Sequence, residues 1–91
     1  MRLYVAGASV RARRALRRVS LQCEAEMKDN YELEVIDVYQ QPGMARNSQI
    51  VATPTLVKYR PLPVRRFIGD LSDISSLFVG LDPVQKRKTV P

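Results

Sequence analysis

The chain has no histidine, no tryptophan and a single cysteine, Cys23, among its 91 residues. Because histidine is the commonest general base and metal ligand, its absence argues against the usual acid–base and metal-dependent chemistry. One cysteine cannot close an internal disulfide, which fits a reducing cytoplasm, and it argues against a zinc site. We therefore expect no catalytic residue, no metal site, no cofactor and a cytoplasmic location.

Long hydrophobic runs are also missing. No segment approaches the length of a membrane span, and the start of the chain is too short and strand-like for a signal peptide. Hydrophobic residues make up 45% and charged residues 26%, which is typical of a folded chain. We predict one domain over residues 1–82 and a basic tail over 83–91. The net charge is +6, but three of those charges lie in the tail at residues 86–88. The charge therefore favours an acidic partner only weakly, and the four scattered tyrosines do not form a base-stacking platform for nucleic acid.

Hydrophobic spacing predicts an α/β domain with the order β-α-β-α-β-β-α. Strands are expected at 2–6, 32–38, 55–60 and 64–68, and helices at 10–28, 42–48 and 73–79. The first helix starts after Ser9, a good N-cap, and its apolar stripe contains Ala12, Leu16, Val19, Cys23 and Met27. We expect two parallel crossovers and then a hairpin, with helices on both faces of a four-stranded sheet.

The segment Ala52-Thr53-Pro54-Thr55-Leu56 places a proline at the start of the third predicted strand, where no ladder N–H is needed. Thioredoxin-like enzymes have a cis-proline at such a position, facing a Cys-x-x-Cys after the first strand. The matching stretch here, Ala6-Gly7-Ala8-Ser9-Val10, contains no cysteine. The pattern therefore predicts a thioredoxin-like scaffold without redox chemistry, and it favours a binding module over an enzyme.

Basic residues are concentrated in two places. Arginines crowd the start of the first helix, where they oppose the helix dipole: Arg11, Arg13, Arg14, Arg17 and Arg18. We interpret them either as a positive ridge for an acidic surface or as a solvated helix face. Lys58, Arg60, Arg65 and Arg66 predict a basic patch on the third and fourth strands, with protection of an edge strand as the alternative. Because neighbouring residues in a strand point to opposite faces of the sheet, Arg65 and Arg66 cannot lie on the same face. For Asp37, a cap on the turn after the second strand is the preferred interpretation.

Several motifs together resemble the KaiB family of cyanobacterial circadian clock proteins over about residues 3–82. They are Leu3-Tyr4-Val5-Ala6-Gly7, Val35-Ile36-Asp37-Val38, Ala52-Thr53-Pro54-Thr55-Leu56, Pro63-Val64-Arg65-Arg66, Ile68-Gly69-Asp70-Leu71-Ser72 and Gly80-Leu81-Asp82. The chain is also similar to the KaiB-like sensor domain of some clock-output histidine kinases. The resemblance implies a non-enzymatic clock or signalling regulator that binds the ATPase KaiC, recruits KaiA and modulates KaiC autophosphorylation. It also implies fold switching between a free homo-oligomer, a tetramer or dimer with a different α/β arrangement, and a thioredoxin-like monomer that binds.

The resemblance assigns roles to individual residues. Partner-facing positions are Arg14, Gln49, Lys58, Arg65 and Arg66, and fold-switch positions are Pro54, Gly80 and Asp82. The sequence departs from the family at residues 46–48, Arg-Asn-Ser, where acidic residues are usual, and at Gln49, where lysine is usual. A stress or signalling adaptor with a different protein partner therefore stays open. Two further alternatives are a thiol-dependent enzyme using Cys23 and a weak nucleic-acid binder using the arginines of the first helix.

Overall fold

The computed structural model describes residues 1–28, 30–60, 62–69, 71 and 74. The elements in chain order are β1 Arg2–Val5, α1 Val10–Met27, β2 Glu34–Asp37, α2 Pro42–Asn47, β3 Thr55–Lys58 and β4 Arg65–Ile68. The helix predicted at 73–79, apart from Ile74, and the predicted tail lie outside the described residues. So do the predicted fold-switch positions Gly80 and Asp82.

The strands form one mixed sheet in the order β2-β1-β3-β4. β1 and β2 are parallel, with Tyr4 opposite Ile36, whereas β1 and β3 are antiparallel, with Tyr4 opposite Thr55. The expected second parallel crossover is therefore wrong. With six residues, α2 is only about 9 Å long, too short to carry the chain back along the sheet. The chain thus re-enters the sheet at the end where β2 leaves it, and β3 and β4 then form the expected antiparallel hairpin.

Helices cover both faces of the sheet, as predicted. On the α1 face, Leu3, Val5 and Leu56 pack with the buried stripe of the helix, which comprises Ala12, Ala15, Val19 and Cys23. On the α2 face, Tyr4, Ile36 and Val57 form a second, smaller cluster. Because side chains alternate along a strand, β1 sends Leu3 and Val5 to one cluster and Tyr4 to the other.

The start of α1 follows directly from its sequence. The Ser9 Oγ accepts a hydrogen bond of 3.1 Å from the Ala12 N–H, which satisfies one of the unpaired amides of the first turn. Val19 and Cys23 are fully buried on the stripe, and the partly buried Leu16 and Met27 pack against the same core. Apolar burial of this kind contributes about 1.5–3 kcal/mol for each large side chain, enough to offset the unfavourable arginines of the first turns.

Candidate partner-binding surface

The structure separates the basic residues of the β3–β4 hairpin. Lys58 and Arg65 are register partners, and Lys58 is only 3% exposed. Its Nζ donates a 2.8 Å hydrogen bond to the Pro63 carbonyl. Burial lowers the pKa of Lys58, and the positive charge of Arg65 lowers it further. In this conformation the Lys58 ammonium is therefore interior, whereas the Arg65 side chain is exposed.

Arg66 lies on the opposite face, paired in register with Val57 and directed toward the end of α2. Its Nη1 donates to the Gln49 carbonyl at 3.2 Å, and its Nη2 donates to the Ser48 carbonyl. The structure thus brings together two of the predicted partner-facing residues, Arg66 and Gln49. Gln49 is exposed and has a φ of 57°, so the chain turns sharply where the guanidinium holds it.

The Tyr4 hydroxyl contacts the same turn from the buried side, at Ser48. Tyr4 is fully buried, and its hydroxyl lies 2.9 Å from the Ser48 Oγ and 3.4 Å from the Tyr59 hydroxyl. Burial raises the pKa of Tyr4, but the hydrogen bonds with Ser48, Tyr59 and Arg2 together lower it below its ordinary value. Sequence analysis missed this contact. The available signal was a tyrosine inside a buried strand, because a buried hydroxyl usually has a hydrogen-bond partner.

Arg2 continues this polar arrangement toward β2. Its Nε lies 2.9 Å from the Glu34 Oε1, and its guanidinium stacks 5.5 Å from the centroid of the Tyr59 ring. Hydrogen bonds with Tyr4 and with Glu34 raise the pKa of Arg2. Because the Glu34 side chain is 56% exposed, the ion pair itself contributes little stability.

Arg14 lies on the exposed side of α1. Its side chain makes no hydrogen bond or ion pair with any other described residue. The structure therefore leaves its partner-facing role a prediction. Its neighbour Arg13 donates a long, 3.4 Å hydrogen bond to the Ala8 carbonyl.

A small pocket of about 250 Å³ lies at the carboxyl end of β1, where a thioredoxin-like enzyme has its reactive thiols. Its lining includes Ser9, Tyr39, Thr53 and Pro54, and the Thr53–Pro54 bond is cis, as expected for that fold. No cysteine contributes to this lining, and the Ser9 hydroxyl is occupied as the cap of α1. The pocket therefore lies where such an enzyme has its redox site, but it lacks the cysteine nucleophile.

The Asp37 carboxylate bonds to the backbone of two turns, the one after β1 and the one after β2. Its Oδ1 accepts hydrogen bonds from the Gly7 N–H at 3.0 Å and from the Tyr39 N–H at 2.9 Å. Gly7 has a φ of 67°, in the left-handed region that favours glycine. The predicted capping role of Asp37 is confirmed, and it links the β1–α1 turn to the β2–α2 turn.

Cys23 is fully buried in the middle of α1. Burial raises its pKa to about 11, so the thiol is protonated near neutral pH and is a poor nucleophile. This environment argues against the thiol-dependent alternative.

A larger groove, of about 1310 Å³, lies at the other end of the sheet, with Met1, Tyr31, Glu32 and Leu62 in its lining. Neither Arg66 nor Gln49 lines this groove, so we do not assign it as the partner-binding site, although it is the larger of the two.

Within the described ranges, no three His, Cys, Asp or Glu side chains are grouped to hold a metal ion. None of the helices described is both long and apolar enough to cross a membrane.

A family model described as the KaiB domain matches residues 2–83. The chain belongs to the KaiB family. It is 49% identical over 82 residues to the circadian clock oscillator protein KaiB of Synechococcus elongatus, covering 90% of this chain and 80% of that relative. It is 42% identical over 84 residues to the circadian clock protein KaiB3 of a Synechocystis species, covering 92% and 82% respectively.

The solved structures include a similar fold. The N-terminal domain of Synechococcus elongatus SasA matches with a TM-score of 0.71 at 27% identity, covering 93% of this chain and 82% of that one. The predicted family and the predicted thioredoxin-like α/β fold are both confirmed, and KaiB membership supports a role as a clock regulator.

Proposed function

We propose that this KaiB-family chain is a non-enzymatic, cytoplasmic regulator that binds a KaiC-type ATPase and modulates its autophosphorylation. Through that ATPase it recruits KaiA or a similar protein, and a sensor histidine kinase is a further proposed partner. The observation that carries the proposal is the KaiB match over residues 2–83. Relatives named as circadian clock proteins, with 42% and 49% identity over most of the chain, add to it.

The pocket at the end of β1 supports the non-enzymatic part of this proposal. A redox enzyme of this fold needs an activated thiolate beside Pro54. Here the corresponding turn carries Ser9, whose hydroxyl already caps α1. The remaining thiol, Cys23, lies in the core with a raised pKa. The scaffold is therefore available for binding without competing chemistry.

Exposed basic and polar residues around the edge strand β4 and the end of α2 form the proposed contact surface, with Arg65 and Arg66 on opposite faces of that strand. Arg65 and Arg66 lie on β4, and Gln49 follows α2. Ile68, the last residue of β4, is 58% exposed, and Val51, between α2 and β3, is 88% exposed. Apolar groups flanked by arginine and polar residues are typical of a protein–protein interface. Arg14 on α1 stays a proposed additional contact.

Fold switching and self-association are part of the proposal. The thioredoxin-like arrangement is assigned to the partner-bound monomer, and a free tetramer or dimer is assigned a rearranged second half. Pro54 is buried, and its carbonyl accepts a 3.1 Å hydrogen bond from the Gly69 N–H at the end of β4. It thus joins β3 and β4, the two strands that such a switch must reorganise. Gly80 and Asp82 stay proposed fold-switch positions. Two folds of one chain need free energies within a few kcal/mol of each other.

A second candidate is a KaiB-like stress or signalling adaptor with a different protein partner. It is favoured by the basic end of α2, where Arg46 lies in the last turn and is exposed. A partner surface that accepts this end of α2 is expected to be acidic. Nucleic-acid binding through the α1 arginines is the weakest candidate, because the four scattered tyrosines do not form a base-stacking platform beside them.

Size-exclusion chromatography with the KaiC-type ATPase of the organism that encodes this chain tests the proposal. We expect co-elution that develops over hours and increases with ATP turnover. The variant Arg65→Glu is expected to reduce the complex strongly, whereas Glu26→Gln at the end of α1 serves as the control. Failure of the wild-type chain to co-elute, combined with capture of another protein, would favour the adaptor. Salt-sensitive binding to DNA instead would favour the nucleic-acid alternative.

A further inference from the structure

The loop that carries Gln49 is held in place by two separate strands. Tyr4 of β1 contacts the Ser48 hydroxyl at 2.9 Å, and Arg66 of β4 donates to the carbonyls of Ser48 and Gln49. We call Tyr4, Ser48 and Arg66 the loop anchor. Ser48 and Gln49 lie at the end of α2, where main-chain carbonyls have no partner within the helix. Arg66 satisfies two of these carbonyls and places positive charge at the negative end of the helix dipole.

The anchor requires the particular shape of its side chains. A guanidinium is planar and presents a fork of donors, so it can bond two neighbouring carbonyls at once, whereas a lysine ammonium is a point charge on a flexible stem. Tyr4 is 0% exposed, and Ser48 is the closer of the two hydroxyl partners recorded for it. Removal of the hydroxyl by Tyr4→Phe leaves the ring in the core and deletes the 2.9 Å bond to the loop, together with the longer contact to Tyr59 and the bond with Arg2.

Among the described residues, local backbone bonds also hold the turn, and Ile50 packs against the core cluster on the α2 face. The Gln49 N–H donates to the Arg46 carbonyl at 3.0 Å, and the Ile50 N–H donates to the Ala45 carbonyl at 2.9 Å. Gln49 itself adopts a φ of 57°, which costs free energy for a residue with a side chain unless neighbouring contacts hold it. The direction of the Gln49 side chain therefore depends on the anchor.

We infer that Tyr4 and Arg66 are positioning residues that fix Gln49 and the end of α2 for partner binding, and that they act through Ser48 instead of touching the partner. This inference rests on the proposed function for the identity of the partner. It changes the expected role of Arg66, which the sequence predicts as a contact residue. Arg65, the neighbouring exposed arginine on the other face, keeps the contact role.

Conservative variants separate positioning from direct contact. If Arg66 touched an acidic partner, Arg66→Lys would keep most of the affinity and Arg66→Ala would lose it. If Arg66 acts through the two carbonyls, Arg66→Lys and Arg66→Ala are equally impaired. Arg17→Lys, at an exposed arginine of α1 outside the proposed contact surface, is the matched control and is expected to bind as the wild-type chain does. Affinity for the KaiC-type ATPase is the measurement, with an expected loss of about two- to tenfold for Arg66→Lys and for Tyr4→Phe.

A double-mutant cycle adds a readout that a general loss of stability would not give. Tyr4→Phe and Ser48→Ala are each expected to weaken binding about two- to tenfold, and the double variant is expected to be no weaker than either alone. Additive losses would contradict the shared role of the two hydroxyls. Tyr39→Phe, at a tyrosine that is 74% exposed, is the control for the loss of a hydroxyl.

Hydrogen exchange on the monomeric, thioredoxin-like form, separated from any free oligomer by size-exclusion chromatography, tests the anchor without any partner. Arg66→Lys and Tyr4→Phe should both accelerate exchange of the Gln49 and Ile50 amides by more than they accelerate exchange of the amides of β1 and α1, which report the global loss of stability. Unchanged exchange at Gln49 and Ile50 overturns the anchor. Absence of any complex with the wild-type chain overturns the proposed function and the binding role of the anchor, but leaves the exchange result valid. Full binding by Arg66→Lys alongside loss in Arg66→Ala overturns positioning in favour of direct contact.

Discussion

The Tyr4 and Ser48 hydroxyls, 44 positions apart in the chain, lie 2.9 Å from each other. This bond ties the central strand β1 to the end of α2. It connects the buried α2 face of the sheet with the turn that presents Gln49. The proposed partner surface is therefore supported directly by the core and does not depend on an isolated surface loop.

Deleting the Tyr4 hydroxyl should cost a modest amount of stability. We expect Tyr4→Phe to lower the free energy of unfolding by about 0.5–1.5 kcal/mol, because the short bond with Ser48 is the main interaction lost and the ring packing is kept. Tyr59→Phe should cost less, since its hydroxyl lies 3.4 Å from that of Tyr4. Urea denaturation of the three proteins gives the comparison. A Tyr59→Phe loss equal to or larger than that of Tyr4→Phe would contradict the assignment of Ser48 as the main partner.

The cap of α1 predicts opposite effects for two substitutions of Ser9. Ser9→Ala removes the acceptor for the Ala12 N–H and should destabilise the protein by about 1 kcal/mol. Ser9→Asp keeps an acceptor and adds a negative charge to a first turn that contains no acidic residue, so stability should be equal or higher. Thermal unfolding of both variants checks the order. A destabilised Ser9→Asp variant would show that the hydroxyl does more than cap the helix.

Removal of the Asp37 carboxylate should loosen the β1–α1 turn and the β2–α2 turn, which follow the carboxyl ends of the two parallel strands. It accepts from the Gly7 and Tyr39 amides, so Asp37→Ala leaves two donors without this acceptor, and a loss of about 1–3 kcal/mol is expected. Asp37→Asn retains one oxygen acceptor and should lose less. Equilibrium unfolding measures the difference, and equal losses in the two variants would contradict an acceptor role.

The buried Cys23 thiol predicts a loss of stability at high pH. Its ordinary pKa is 9.0 and its pKa in the fold is about 11. Between these values the unfolded chain releases the thiol proton and the folded chain keeps it, so the free energy of unfolding falls as pH rises. The maximal contribution is about 3 kcal/mol, at about 1.4 kcal/mol per pH unit.

Cys23→Ala is the control for this pH dependence, because tyrosines and lysines titrate in the same range in both proteins. The difference in unfolding free energy between the wild-type chain and Cys23→Ala should shrink from pH 8 to pH 11. A difference that stays constant over this range would show that the thiol ionises equally in both states.

Local patterns in the sequence were sufficient for α1 and α2 but not for the contacts that shape the surface. Ser9 and the spacing from Ala12 to Met27 predict α1, because both signals act within a few residues. The direction of β3 was predicted wrongly, because the order of elements was followed although the predicted helix at 42–48 is only about 10 Å long, too short for a crossover. The contact of Arg66 with Ser48 joins residues 18 positions apart and depends on the register of β4, which hydrophobic patterning alone leaves open.

The most direct test of the central claim is a titration of the isotope-labelled chain with the KaiC-type ATPase of its own organism, followed by the intensities of backbone amide NMR signals. Binding through the proposed surface predicts early loss of signal at residues 46–51 and 65–68, with signals at residues 22–28 retained longest. Unchanged spectra at saturating ATPase and ATP, or signal loss confined to residues 22–28, would contradict the account.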